Sequence, residues 1–266
     1  MEKKFLGIVL KCIDYKERDK LVSIFSVVDG LILGKLKGVK GAGAKLKMLS
    51  SPFCFAEFMG IEKGGKLTIT GGDIIDSFFD ITNDIESFYV GCCVLDYIYS
   101  YLKSDESDEV LKQNFSNLVS TLKSLCYIDY VPKKVVLIKY FLNVLKLSGY
   151  ALDFCACSNC KKVINEKNNE SAFIDFFDGS VKCERCTGIK NIEVFSDVMV
   201  ALKQIENMHE FKVEENVKSC KDCGDGKLNN FNNLNNQLLN DVLRFLGNYI
   251  FLQMNYKIKI EELLKM

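Results

Sequence analysis

Tryptophan is absent from this 266-residue chain, histidine occurs once and proline twice. Without tryptophan, stacking on a planar ligand falls to phenylalanine or tyrosine. A lone histidine, His209, leaves no nucleophile–base–acid set to build around an imidazole. Net charge is also missing: 35 basic residues balance 35 acidic ones, so no overall field draws the chain to nucleic acid or anionic lipid. Any such attraction must come from local segregation of charge. No apolar run approaches the roughly eighteen residues that span a bilayer. The opening MEKKFLGIVLKCIDY is too short in its apolar stretch, and too soon charged, for a signal peptide. These absences predict a cytoplasmic protein without a membrane partner, whose cysteines are reduced thiols or metal ligands.

What is present divides by period. From Lys4 to Asp80, short β-prone runs such as FLGIVL, LVSIFSVV, LILGKLKG, FCFAEFMGIE and KLTITGG are broken by charged or glycine-rich turns. Five strands, with a helix-capable piece at Ala44 to Leu49 between the third and fourth, suit a small closed barrel of the OB type. An SH3-like barrel is the rival on pattern alone. Beyond residue 80 the spacing turns helical. Asn83 with Glu86 offers a capping box, and Pro132 suits a first helical turn. The segment Val135 to Leu147 is apolar almost all round, as at the centre of a bundle. Helices resume at Val194 to Met208 and at Leu234 to Gln253. The fold class expected is α+β: an OB barrel over residues 1–80, a helical domain over 81–152 and 189–266, and a cysteine-rich element over 153–188.

The twelve cysteines are not scattered evenly. Cys157-x-x-Cys160 and Cys183-x-x-Cys186 are matching knuckles separated by 22 residues, with a strand–turn–strand pattern, AFIDFFDGSVKC, leading into the second. Tetrahedral zinc needs soft ligands, and a two-residue gap lets both thiolates of a knuckle face one ion. The expectation is one structural Zn2+ in a zinc ribbon. Cys155 sits on the wrong side of its knuckle and is read as a spare thiol. Cys220 and Cys223 form a third knuckle without a partner pair, on a polar stretch, Lys218 to Asn233, read as a loop.

From Gly30 to Ala56 there is no acidic residue, while Lys35, Lys37, Lys40, Lys45 and Lys47 are interleaved with glycines. On a barrel strand Lys35 and Lys37 share a face. Their segregation points to phosphate contacts with nucleic acid. Arg18, in the turn DYKERDK, joins them, and Tyr15 is the candidate for base stacking. Sequence-tolerant, salt-sensitive binding follows from such a surface. GAGAK lacks the spacing of a phosphate-binding enzyme loop.

Taken in order, these residues resemble the RecO family of recombination-repair mediators. GIVLKCIDYKERDKLVSIFSVVDGLI resembles its first two strands and LKGVKGAGAKLKMLSSPF its lysine–glycine turn. LKLSGYALDFCACSNC resembles a helix end followed by the first knuckle, and LLNDVLRFLGNYIF the terminal helix. The resemblance implies a non-enzymatic protein, acting at the nucleoid, that binds single- and double-stranded DNA and anneals complementary strands. With RecR it would help load RecA onto DNA coated by single-strand-binding protein. It implies DNA contacts at Lys35, Lys37, Lys40, Lys45 and Lys47, and the zinc set Cys157, Cys160, Cys183 and Cys186. It also implies that the helical domain receives the acidic tail of single-strand-binding protein, for which Lys139, Asn143 and Lys146 form the polar stripe. In isolation a monomer is expected. The competing reading is a zinc-ribbon adaptor that binds only protein.

Overall fold

The computed structural model describes residues 1–41, 44–101, 107–164, 170–175, 178–188, 191–208 and 234–266. His209, Cys220, Cys223 and the stretch 218–233 lie outside the described residues, as does the side chain of Lys40. The chain divides into two compact units, Met1–Cys126 and Tyr127–Met266.

In the first unit, β1 (Glu2–Tyr15), β2 (Asp19–Ser26), β3 (Gly30–Leu36), β4 (Phe55–Lys63) and β5 (Lys66–Asp76) close into a barrel in the order β1-β2-β3-β5-β4. Helix α1 (Ala44–Met48) lies between β3 and β4, and β3 pairs with β5 in parallel. This is the OB arrangement. β1 outruns its apolar core because both ends find partners: Phe5 lies opposite Phe58 of β4, and Ile13 opposite Leu21 of β2. A register shift between Val9 and Lys11 bends the strand from one neighbour to the other. Before the bend, a side chain on Gly7 would meet Ile24 Cγ2 at 2.5 Å and the Phe25 carbonyl oxygen at 2.9 Å, so only glycine lets β1 and β2 approach there. Inside, Val9, Val22, Ile24, Leu36 and Phe58 are buried, each contributing on the order of 1.5–3 kcal/mol of transfer free energy.

Two long helices belong to the same unit, α2 (Ile85–Tyr101) and α3 (Asp108–Tyr127). α2 is capped by Asp84, whose Oδ2 accepts the Ser87 N–H at 2.8 Å. The Asn83–Glu86 box does not form this cap; Asn83 instead donates to Asp80. α2 meets the barrel where Phe53 packs against Phe88 and lies too close to Gly91 to admit a Cβ there. Phe115 of α3 contacts Phe25 and Phe55 at ring-centroid distances of 5.4 and 5.7 Å.

In the second unit, α4 (Lys133–Leu147) starts directly after Pro132 and is buried on most of its circumference. It packs on α5 (Ser196–Glu206) and α6 (Asn236–Met254). The buried ammonium of Lys134 donates to Asn236 Oδ1 at 2.6 Å and Asn240 Oδ1 at 2.7 Å. Asn240 in turn donates to the Leu264 carbonyl, tying the C-terminal segment to α6. Strands β6 (Ala172–Asp175), β7 (Val181–Cys183) and β8 (Asn191–Val194) form a sheet in the order β7-β6-β8. No described helix is long and apolar enough to cross a membrane.

Candidate metal centre and candidate nucleic-acid interface

The knuckles converge because their backbones are stitched together. Ala156 bridges to Val163, the Cys157 N–H donates to the Lys162 carbonyl at 2.8 Å, and the Lys161 N–H returns to the Cys157 carbonyl. Lys161 adopts a left-handed conformation at φ 60°, which closes this turn. The Ser158 N–H reaches the Val181 carbonyl of β7 at 2.8 Å, bringing the first knuckle to the second. Cys183 ends β7, and a 3-10 turn, Glu184–Cys186, presents the fourth sulfur.

All four sulfurs lie within 4.8 Å of one another, and Cys160 Sγ is 3.7 Å from Cys183 Sγ. A tetrahedron with metal–sulfur bonds of about 2.3 Å has edges of about 3.8 Å, so the cluster fits such an ion with little movement. Burial pushes the Cys157 thiol up, but the N–H groups of Cys160, Cys183 and Asn159 outweigh it and bring the thiol down to about 6. Cys186 moves the other way, chiefly through its hydrogen bond with Cys160. Cys157 thus takes negative charge readily while Cys186 holds its proton, since like charges resist gathering without a cation. Cys155 stands outside the group; its N–H donates to Asp153 Oδ1 at 2.9 Å.

The lysines of the barrel prove unequal. Lys35, on β3, places Nζ 2.7 Å from Asp19 Oδ2 and 4.9 Å from the centre of the Tyr15 ring. The Lys35 ammonium, with the Gly38 N–H on the other carboxylate oxygen, holds Asp19 below the usual carboxylate range. Lys45 pairs with Asp73 at 2.9 Å, both side chains well exposed; such pairs are weak and exchange readily. Lys37, Lys47 and Arg18 are exposed, and among the described residues none has a carboxylate partner. Lys40 lies in a 3-10 turn, Val39–Gly41, between β3 and α1.

Barrel closure adds residues that the sequence pattern did not single out. Ile13, Leu21, Lys35 and Thr68 stand opposite one another across β1, β2, β3 and β5. One step along, Lys11 faces Ser23 and Ser23 faces Leu33. Lys66 precedes Leu67, which lies opposite Gly34, so side-chain alternation puts Lys66 and Leu33 on this same outer face. Here Leu33 is 61% exposed, Ile13 49% and Tyr15 38%. An apolar shelf with lysines around it results. Lys11 was hidden in an apolar run, and Lys66 is remote in sequence from the basic stretch; only the parallel β3–β5 pairing brings it in.

On α4, Lys139, Asn143 and Lys146 share one stripe by helical spacing. Lys139 donates to the carbonyls of Glu206 and Met208 at 2.6 and 2.9 Å, satisfying the end of α5. Asn143 is half-buried and Lys146 exposed.

Comparison with known proteins bears on both halves of the chain. Residues 1–78 match the family model described as recombination protein O N terminal. Residues 83–219 match the one described as recombination protein O C terminal. The DNA repair protein RecO of Clostridium novyi is 30% identical over 218 residues, covering 81% of this chain and 83% of its own. That of Clostridium perfringens is 26% identical over 201 residues, covering 76% and 78%. The RecO protein of Acetivibrio thermocellus is 26% identical over 223 residues, covering 80% and 85%.

Proposed function

We propose, since the chain belongs to the recombination protein O family, that it is a non-enzymatic mediator of DNA repair and homologous recombination. It binds single- and double-stranded DNA through the outer face of its barrel and anneals complementary strands. With RecR, it helps load RecA onto DNA covered by single-strand-binding protein, in the cytoplasm at the nucleoid.

The observation that carries this reading is the shelf of Ile13, Tyr15 and Leu33, bordered by Lys11, Lys35 and Lys66. Unstacked bases have π-faces that rest on apolar and aromatic side chains, while ammonium groups track the phosphates. Lys37, Lys40, Lys45, Lys47 and Arg18 extend the cationic path, and Lys45 exchanges Asp73 for phosphate at little cost. Annealing asks for screening of two phosphate chains with the bases left free to pair. A lysine surface achieves this without bond chemistry.

Cys157, Cys160, Cys183 and Cys186 would hold one Zn2+. With four protein ligands such an ion keeps no open position for water, so its role is to fold the ribbon. Lys182 and Lys162 hold their protons chiefly through their carboxylate partners, Asp175 and Glu170, with a smaller contribution from the cluster's sulfurs. They would offset the two negative charges that four thiolates leave on Zn2+.

Lys139, Asn143 and Lys146 would receive the acidic tail of single-strand-binding protein. In that event Lys146 meets the tail first, and Lys139 trades the carbonyls of Glu206 and Met208 for carboxylates. A gel-shift titration of the full chain with a single-stranded oligonucleotide at two salt concentrations, followed by an annealing assay, tests the whole reading. Binding that falls with a log–log salt slope of about −3, for roughly four phosphate contacts, is expected. Failure to bind DNA even at low salt would favour an adaptor that contacts only protein.

A further inference from the structure

β8 is an edge strand. In the order β7-β6-β8 it bonds β6 on one side. Among the described residues no backbone bond leaves Ile192, Glu193 or Val194 towards anything else. Beside it runs a groove of about 330 Å3 between β8 and α6, with the first turn of α5 at its end. That volume lies at the lower end of the range of about 300–1,000 Å3 typical of ligand sites. Four successive residues, Ile192 to Phe195, line it. Side chains of a strand alternate between faces, so four neighbours can share one groove only by turning their backbone edge to it.

The groove's other surfaces select the occupant. Phe195, 61% exposed, and half-buried Phe245 supply apolar contact. Charge comes from Glu193, Asp197, Asp241 and Arg244. The Arg244 guanidinium is 2.9 Å from Asp241 Oδ1, so that pair cancels. Among the described residues Glu193 and Asp197 have no cationic partner, and the groove carries excess negative charge. Phosphates would be repelled. A second copy is disfavoured as well, because pairing two β8 edges would bring Glu193 close to its own image, and like charges across a strand pair destabilise it.

We propose that this groove docks an extended, cationic segment of a partner protein as a fourth strand beside β8. Main-chain bonds to the free edge supply affinity, and alternate side chains supply selectivity. On the bound segment, basic residues meet Glu193 and Asp197 and lay their apolar stems along Phe195, while the alternating apolar residues face the side of Ile192. The inference does not depend on DNA binding, which uses the other compact unit.

Fluorescence anisotropy of the full-length chain with three labelled octapeptides tests this. One alternates valine and lysine, the second alternates valine and glutamate, and the third is the lysine peptide with alternate amides N-methylated. The lysine peptide should bind about tenfold or more tightly than either other, a difference of about 1.4 kcal/mol. The double variant Glu193→Lys, Asp197→Lys should reverse the charge preference. Phe195→Ala should weaken the lysine peptide with the melting temperature unchanged. Absence of peptide binding, equal binding of the glutamate peptide, indifference to N-methylation, or an unreversed preference in the double variant would each overturn the proposal. So would a dimer in sedimentation that Glu193→Lys alters, which would assign the edge to a second copy.

Discussion

Lys35 and Asp19 lie 2.7 Å apart where β2 leaves its turn, and the other oxygen of that carboxylate takes the Gly38 N–H at 2.9 Å. The pair therefore pins the start of the lysine–glycine segment to the β1–β2 turn. Asp19 is held below the ordinary carboxylate value of about 3.9. A depressed folded-state value stabilises above the ordinary one, and that contribution is lost as pH falls from there through the folded-state value. In Lys35→Met the largest cause is removed, so Asp19 should titrate closer to its ordinary value. Carboxylate NMR titration reads this directly. An unmoved midpoint would assign the shift to the Gly38 N–H alone.

Because Lys35 is engaged with Asp19 while Lys37 and Lys47 are not, the three should differ in DNA binding. Lys37→Glu with Lys47→Glu should abolish annealing and flatten the salt slope by about 0.7 per lost contact, before counting the added repulsion. Lys35→Gln should cost less. Filter binding across a salt series separates the variants, and equal slopes in all of them would remove these lysines from the interface.

The exposed shelf makes a distinction that charge alone does not. Tyr15→Ala with Leu33→Ser removes surface on which bases would rest at about 1–3 kcal/mol per stacked base, so single-strand affinity should fall about tenfold or more. Duplex, with its bases turned inward, should bind almost as before. Parallel loss for both forms would mean that the face reads only phosphates.

Cys157→Ser should release the metal and unfold the ribbon around β6 and β7. Ion binding in such sites is worth on the order of 10–16 kcal/mol. Elemental analysis of the purified variant, with a chelator-treated wild type alongside, reads the outcome. One equivalent of zinc retained by the variant would refute the ligand set.

Lys134→Ala should destabilise the second compact unit. It strips Asn236 and Asn240 of a buried donor and leaves a void beside α6. The buried Asn240 acceptor left unsatisfied alone costs about 1–3 kcal/mol, so the midpoint of urea unfolding should drop. A midpoint that stayed in place would mean that Asn240 finds water at no cost.

What the sequence determined by itself was whatever short spacing dictates. Alternating runs pointed to five barrel strands, and three-to-four spacing pointed to helices beyond residue 80, over 135–147 and over 234–253, where α2, α4 and α6 lie. A two-residue gap, repeated, was enough to nominate four sulfurs that do gather within 4.8 Å. Tertiary structure decided what depends on contacts distant along the chain. Which lysines remain available depends on Asp19 and Asp73, residues 16 and 28 positions away from Lys35 and Lys45. Lys66 reaches Leu33 only because β5 pairs with β3 in parallel. Lys139, on a stripe suited to anionic ligands, is held by the carbonyls at the end of α5. Even the cap of α2 fell to Asp84 instead of the neighbouring Asn83, since a cap depends on where the preceding backbone turns. Periodicity records which face of an element is apolar; it carries no account of which other element will cover that face or claim its charges.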